Sequence, residues 1–497
     1  MAALIQTVHG GLVVTRTFMS RHIPQNQVIS SKNRLFLFTS PQRLSQGICY
    51  SGEELSNMSW TYRTKMIVRC KAGAVPLMKQ GHRFLSSLSS PSLAGDPSAT
   101  NRHIKKFVAA FPKSLALNVL SHLLSDHTSH PHLSFFAPQL YSEITEASWF
   151  DWNPKLIADL VALLNKQERF QESETLLSTA VSRLESSERD FALFLCNLVE
   201  SNSKQGSIQG FNEACFRLRE IIQRSSSVYV KTQAYKSMVS GLCNMDQYHV
   251  AERVIEEMRM DKINPGLFEY ESVLYSYGRL GLFDDMNRIV QRMETEGHRI
   301  DTVCSNMVLS SYGAHDALPQ MGSWLQKLKG CNVPLSIRTY NTVLNSCPTV
   351  MSLLKDLDNC PVSLSELLTI LNEDEALLVR ELTQSSVLDE AIQWNAAVEC
   401  KLDLHGMHLS ASYLIMLQWM DEIRLRFSEE KCVVPAEIVV VSGSGKHSNV
   451  RGESPVKALV KKIMVRTSSP MRIDRKNVGS FIAKGKTVKE WLCKMKL

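Results

Sequence analysis

Although the 497-residue chain has 12 cysteines, it contains no Cys-x-x-Cys pair and no Cys/His spacing suited to zinc. That excludes zinc-finger and thiol-redox modules and leaves the cysteines as reduced core thiols. No apolar run approaches the roughly 18 residues that span a bilayer, so no membrane partner is expected. There is no P-loop, because Val440 stands where the motif before Gly445-Lys446 requires glycine. Acid is scarce at one end: residues 1–95 hold eleven Lys and Arg but only Glu53 and Glu54. This serine-rich stretch shows no sustained periodicity.

Such a composition is that of an organelle transit peptide, assigned here to 1–71 and set apart from the fold. The alternative is a basic tail that stays on the protein. The Met-Ala-Ala start and Ile67-Val68-Arg69-Cys70-Lys71-Ala72 resemble a plastid presequence and its processing site, which implies a chloroplast destination, with the mitochondrion as the alternative. The net charge of +7 then loses its meaning for partners. Residues 1–95 carry +9 and residues 401–497 another +9, which leaves 96–400 at −11. The electrostatic footprint for a polyanion lies at the C-terminal end.

Between Thr232 and Asn341 one pattern returns every 35 residues. Tyr235, Tyr270, Ser305 and Tyr340 form one column, Leu242, Tyr277 and Tyr312 a second, and Met258, Met293 and Leu328 a third. Each unit carries two segments of helical apolar spacing separated by a polar or glycine-containing turn, so the unit is a helical hairpin and the whole a solenoid. Units are expected at 232–266, 267–301 and 302–336, within a repeat region of 154–345. Weaker ones precede them: Leu160 to Leu184, and Asp190 to Ile222 widened by a loop from Ser201 to Gly210. Residues 72–153 are poorly defined, with a helical patch at Ile104 to Leu124 and a loop at Ser125 to Pro138. His127, His130 and His132 in that loop read as solvated, since nothing fixes a ligand geometry. A helical linker is expected over 346–400, ending in a hinge near Ala391 to Cys400.

Thr-Tyr-Asn-Thr-Val-Leu (339–344), Ser-Gly-Leu-Cys (240–243), Ile-Glu-Glu-Met (255–258) and Ile-Asn-Pro (263–265) resemble pentatricopeptide repeats. The tetratricopeptide alternative has a period of about 34 and different landmark residues. The resemblance implies single-stranded RNA as partner, one base per repeat being read by two or three side chains. The reading positions are the residue after the tyrosine column and the last residue of the unit. They give Lys236 with Gly266, Glu271 with Asp301, Asn306 with Ser336, and Asn341 without a clear partner. Only Asn306 and Ser336 resemble a standard combination, one that favours pyrimidines. The alternative is a scaffold whose acidic repeats bind an organellar protein.

After the repeats, Lys401 to Gly406 reads as a strand, Leu409 to Phe427 as an amphipathic helix, Glu437 to Val441 as a buried strand, and Val456 to Val465 as a helix opened by Ser454-Pro455. This is a small α/β sandwich at 401–497. Leu402-Asp403-Leu404-His405-Gly406 and Ser442-Gly443-Ser444-Gly445 resemble the Leu-Asp-x-His and Thr-Gly-x-Gly motifs of the Smr domain, with serine in place of threonine. Repeats followed by this module match the order of plant organellar PPR-SMR proteins, and Smr domains are associated with endonuclease activity. The resemblance thus implies an α-α superhelical solenoid of helical-hairpin repeats followed by an Smr-like domain, acting in organellar RNA processing as an endoribonuclease or a non-catalytic protection factor.

Asp403 and His405, two apart on a strand, share one face. An aspartate can orient an imidazole or hold a hydrated divalent metal, and histidine moves protons near neutrality. Ser442, Gly443, Ser444 and Gly445 leave backbone donors open to a phosphate, and Lys446, Lys484 and Lys486 add charge for the RNA backbone. The bland reading of Asp403 and His405 is a capped strand end with a structural histidine.

Overall fold

The structure, a computed structural model, describes residues 77–90, 96–125, 131–395, 398–429, 432–443 and 454–494. The expected transit segment, His127, His130, Ser444, Gly445 and Lys446 lie outside these residues.

Four helices precede the repeats: α1 Lys79–Leu88, α2 Pro97–Ala110, α3 Lys113–Leu124 and α4 Ala137–Thr145. The single helical patch expected at Ile104 to Leu124 is two helices. Pro112 drives the preceding residue out of the helical region, and Phe111 accordingly sits at φ −117°, ψ 154°. Stacking of Phe84 on Phe107, with centroids 3.8 Å apart, joins α1 to α2. His132, whose neighbours in the expected loop lie outside the described residues, falls in a short 3-10 turn, Pro131–Phe136.

The hairpins that follow are α5 Pro154–Lys166 with α6 Phe170–Leu184, α7 Glu188–Gln205 with α8 Ile208–Arg224, α9 Val228–Asn244 with α10 Tyr248–Met260, α11 Leu267–Arg279 with α12 Phe283–Thr295, and α13 Thr302–Ala314 with α14 Leu318–Gly330. Each second helix packs on its own first helix, and the first helices stack in a continuous row from α5 through α13 to α15 Ile337–Asn345. The tyrosine column explains why the period is rigid. Tyr235 donates to Asp261 Oδ2 at 2.7 Å and Tyr270 to Glu296 Oε2 at 2.5 Å, so each ring fills the core while its hydroxyl ties the start of a unit to its end.

Turn chemistry repeats with the same spacing. Left-handed backbone recurs at Asp246, Gly281 and Asp316 inside successive hairpins, and at Lys262, Gly297 and Asn332 between them. Short polar residues and glycine are the types that tolerate this region.

The loop expected at Ser201 to Gly210 is instead mostly helix, for α7 runs on to Gln205 before turning at Gly206. Its polar residues are buried because they are satisfied: Ser201 donates to Asp159 at 2.5 Å and Asn202 Nδ2 to the Leu198 carbonyl at 2.8 Å.

Beyond α15 come α16 Pro348–Leu353, α17 Leu364–Ile370, α18 Glu373–Thr383 and α19 Val387–Ala391. Tyr340 donates to the Leu382 carbonyl at 2.6 Å, which gives the end of α18 the role that Asp261 and Glu296 play in earlier units. The last unit is therefore a hairpin of α15 and α18, with α16 and α17 inserted.

In place of the expected hinge near Ala391 to Cys400 there is an antiparallel strand pair, β1 Ile392–Asn395 against β2 Glu399–Asp403. These edge a five-stranded sheet of order β1-β2-β3-β5-β4, where β3 is Glu437–Val441, β4 Arg472–Ile473 and β5 Ser480–Lys484. Only β2 and β3 are parallel, and α20 Leu409–Ser428 connects them. α21 Pro455–Arg466 and α22 Gly485–Lys494 pack beside α20.

α20 is not the amphipathic helix its spacing suggested. Every residue from Ser410 to Met420 is buried. One face lies in the module, and α15, α17 and α19 cover the other. Polar bonds reinforce the contact: Gln418 Nε2 donates to the Thr383 carbonyl at 3.1 Å, Tyr413 to the Pro361 carbonyl at 2.8 Å, and Arg466 to the Cys360 carbonyl. The repeats and the sheet module meet through a packed joint.

Candidate nucleic-acid interface and C-terminal site

The first row of candidate residues lies on the first helices. Lys236, Glu271, Asn306 and Asn341 each follow the tyrosine column, on α9, α11, α13 and α15 in turn. Their proposed partners, Gly266, Asp301 and Ser336, are N-cap residues of the next first helix. Asp301 Oδ1 accepts from Cys304 N at 2.8 Å and Ser336 Oγ from Thr339 N at 3.3 Å, so these side chains already serve the helix ends.

Asn306 and Ser336 are brought together through Thr339, whose hydroxyl donates to Asn306 Oδ1 at 2.9 Å and lies 3.1 Å from Ser336 Oγ. Asn306 is only 7% exposed, leaving one edge of its amide for any ligand. Glu271 and Asp301 flank Cys304, whose thiol is pushed up to about 12, by burial first and by these carboxylates next. Lys236 extends over the Phe268 ring, 5.8 Å from its centroid. Asn341 differs from the other three: its Oδ1 accepts the backbone N–H of His408 at 3.1 Å, a residue of the C-terminal module.

The second set gathers at the carboxyl ends of β2 and β3. Parallel strands deliver both chain ends to one edge, where open α/β sheets bind ligands. Asp403 stands opposite Val441 in the register. A turn with Gly406 at φ +79° follows β2, and Gly443 at φ +78° follows β3. A Cβ placed on Gly443 would lie 3.4 Å from His405 Cδ2, so the imidazole and the glycine backbone are in contact. His405 is exposed.

Asp403 does not orient the ring directly. Its Oδ1 accepts the backbone N–H of His405 at 2.9 Å and its Oδ2 lies 3.5 Å from Lys401 Nζ. The carboxylate shapes the turn that presents the imidazole.

Two expected phosphate contacts are corrected. Ser442 is buried, and both its N–H and its hydroxyl donate to the Gly479 carbonyl, at 2.8 and 3.0 Å. It fastens the end of β3 to the β4–β5 turn. Lys484 and Lys486 sit at the wrong end of the sheet. β5 is antiparallel to β3, so Lys484 pairs with Glu437 while Ser480 pairs with Val441. Four residues of strand, about 13 Å, separate them from the Asp403 edge.

The same reversal delivers Arg475 and Lys476 instead. Both are exposed in the turn whose Gly479 carbonyl holds Ser442. Sequence reasoning had them only as part of a general basic run, because their placement depends on strand direction. The N-cap Ser454 of α21 joins the same edge, donating to the Ser442 carbonyl at 3.2 Å.

His408 and Asn345 were not foreseen. Asn345 Nδ2 donates to His408 Nδ1 at 2.7 Å, and Ser410 donates to Asn345 Oδ1 at 2.6 Å. Burial holds the His408 imidazole below its ordinary value of 6.5. The unfolded ring therefore binds a proton more readily than the folded one. Its contribution to stability is complete above about pH 6.5 and declines as pH falls through that value toward the depressed folded one. Urea titrations of the protein and of His408→Gln between pH 5 and 8 are expected to diverge on the acid side, with the protein losing stability faster.

A sequence profile described as the PPR repeat matches residues 233–263 and 270–298. The pentatricopeptide repeat-containing protein At2g17033 of Arabidopsis thaliana is 85% identical over an alignment of 506 residues, covering 99% of this chain and all of that protein. Another from the same plant, At5g48730, whose name carries the word chloroplastic, is 20% identical across 40% of this chain and 38% of its own. Among solved structures, pentatricopeptide repeat protein PPR10 in complex with an 18-nucleotide psaJ RNA element is similar over 55% of this chain and 37% of its own, at 17% identity. Its TM-score of 0.26 is too low to carry an argument.

Proposed function

The chain belongs to the pentatricopeptide repeat family, and on that premise we propose that it binds single-stranded RNA in the chloroplast and cuts it with its C-terminal, Smr-like module. Membership in a family whose repeats read one base each supports the first part. The acid-poor, basic start of the chain supports the destination. For the cut, the carrying observation is His405, exposed and touching Gly443 where two parallel strands end.

In this reading the backbone at Gly443 faces a phosphate, Arg475 and Lys476 hold neighbouring phosphates, and the His405 imidazole takes the proton of a ribose 2′-hydroxyl. The 2′-oxygen bonds to phosphorus, the bond to the 5′-oxygen breaks, and that oxygen leaves with a proton from solvent. Asp403 contributes by fixing the turn. No step is routed through a metal.

The test incubates the protein with organellar RNA and maps new 5′ ends beside Asp403→Asn and His405→Ala variants. Discrete ends carrying 5′-hydroxyls, made by the unmutated protein and lost by at least 10²-fold in His405→Ala, are expected. The non-catalytic protection reading draws on the way Asp403 is held by Lys401 and its own turn. It predicts identical end maps with RNA still bound.

Charge placement gives a separate expectation. Replacing Arg475 and Lys476 by alanine is expected to lower the salt-dependence slope of RNA affinity by about 2, one per phosphate contact. Lys484→Ala with Lys486→Ala is expected to leave cleavage unchanged. Filter binding from low to moderate salt measures both.

A further inference from the structure

We propose that the joint between the repeats and the module is itself a nucleotide subsite, formed by Asn341 from the array and His408 from the module, for the base next to the one held at Asn306. The inference rests on the RNA reading above and deepens it. The row of reading positions advances by one unit from Lys236 to Glu271 to Asn306 to Asn341. At each of the first three, the next first helix in the row lies alongside. At Asn341 the neighbour is α20 of the module.

α20 runs antiparallel to α15, since Asn345 meets Ser410 while Tyr340 meets Gln418. The module therefore ends the row rather than extending it, and it places His408 against Asn341. Both side chains are half-buried. The polar groups left over suit a base edge. The Asn341 Oδ1 is engaged by His408 N–H, while its Nδ2 group has no hydrogen bond to a described residue. With Nδ1 of His408 accepting from Asn345, the neutral ring carries its proton on Nε2, which makes it a second donor. Two donors side by side favour a base that presents acceptors.

The position explains how the two halves act on one strand. His405, which touches Gly443, stands three residues before His408 on the same turn. A strand whose base rests between Asn341 and His408 presents its adjoining phosphate to the His405 edge. With no flexible linker at the joint, the cut falls at a fixed register from the bases read.

The experiment selects full-length protein against a synthetic single-stranded RNA pool of random sequence and compares enriched sequences for the protein and for Asn306→Ala, Asn341→Ala, His408→Ala and Asn345→Ala. Expected is a loss of about tenfold in base discrimination at one nucleotide for Asn306→Ala. A similar loss is expected at the neighbouring nucleotide for both Asn341→Ala and His408→Ala. Asn345→Ala, which loosens the joint from the side away from the base, is expected to keep discrimination within about twofold. The subsite is overturned if the Asn341 and His408 variants act at different nucleotides, if their shared nucleotide does not adjoin that of Asn306, or if Asn345→Ala flattens it equally. Retained enrichment unaffected by either variant also overturns it, while leaving RNA recognition standing. A pool that the unmutated protein fails to enrich overturns both.

Discussion

Replacing Trp419 with alanine is expected to lower the free energy of unfolding by about 3–5 kcal/mol, the range for truncating a large buried aromatic. Trp419 is among the largest side chains in the molecule that are fully buried. It lies beside Cys400 of β2, whose thiol is pushed up to about 11 by burial. Its helix is covered on one face by the sheet module and on the other by α15, α17 and α19. The cavity therefore weakens a layer that both halves share. Urea unfolding followed by probes in the repeats and in the sheet should show both midpoints move together. A loss confined to the sheet probe would mean that the joint does not couple them.

Gly485→Ala is expected to destabilise the module by about 3 kcal/mol, at the upper end of the usual range for overpacking. Gly485 opens α22 directly after β5, and its N–H donates to the Ala436 carbonyl at 3.0 Å. An added Cβ would fall 1.9 Å from the carbonyl oxygen of Pro435. The obstacle is backbone, so no side-chain rotation relieves it. Either β5 or the entry to β3 must shift, and β3 carries Gly443 at its other end. Thermal unfolding of the variant, together with its RNA cleavage, measures the effect; retained midpoint and activity would contradict the packing described.

The helical repeats were legible because a solenoid repeats its physics. Each unit faces the same neighbours, so Tyr235, Tyr270 and Tyr340 face the same demand and recur at the same spacing. The strand Glu437–Val441 and the capped helix after Ser454 were equally plain, since a continuous apolar run and a serine–proline start are local signals. Three features resisted. α20 has helical spacing in its sequence, yet burial on both faces follows only from the docking of α15 against it. The strand Ile392–Asn395 is four residues with one side exposed, too short to declare itself before its partner is known. Strand direction decided the site: Lys484 and Arg475 look alike in a list of basic residues, but the antiparallel pairing of β5 sends one away from His405 and the other toward it.

The terminal hairpin of α15 and α18 has a consequence for how such a chain can change length over generations. Units upstream of Asp301 contact only their neighbours, so duplicating one of them lengthens the reader without disturbing anything else. The last unit is not interchangeable. Tyr340 is committed to Leu382, Asn341 to His408 and Asn345 to Ser410, three partners that no other unit possesses. Gains and losses of units among descendants are thus confined to the amino-terminal side, and the end of the array that meets the module stays fixed while the sequence it addresses drifts.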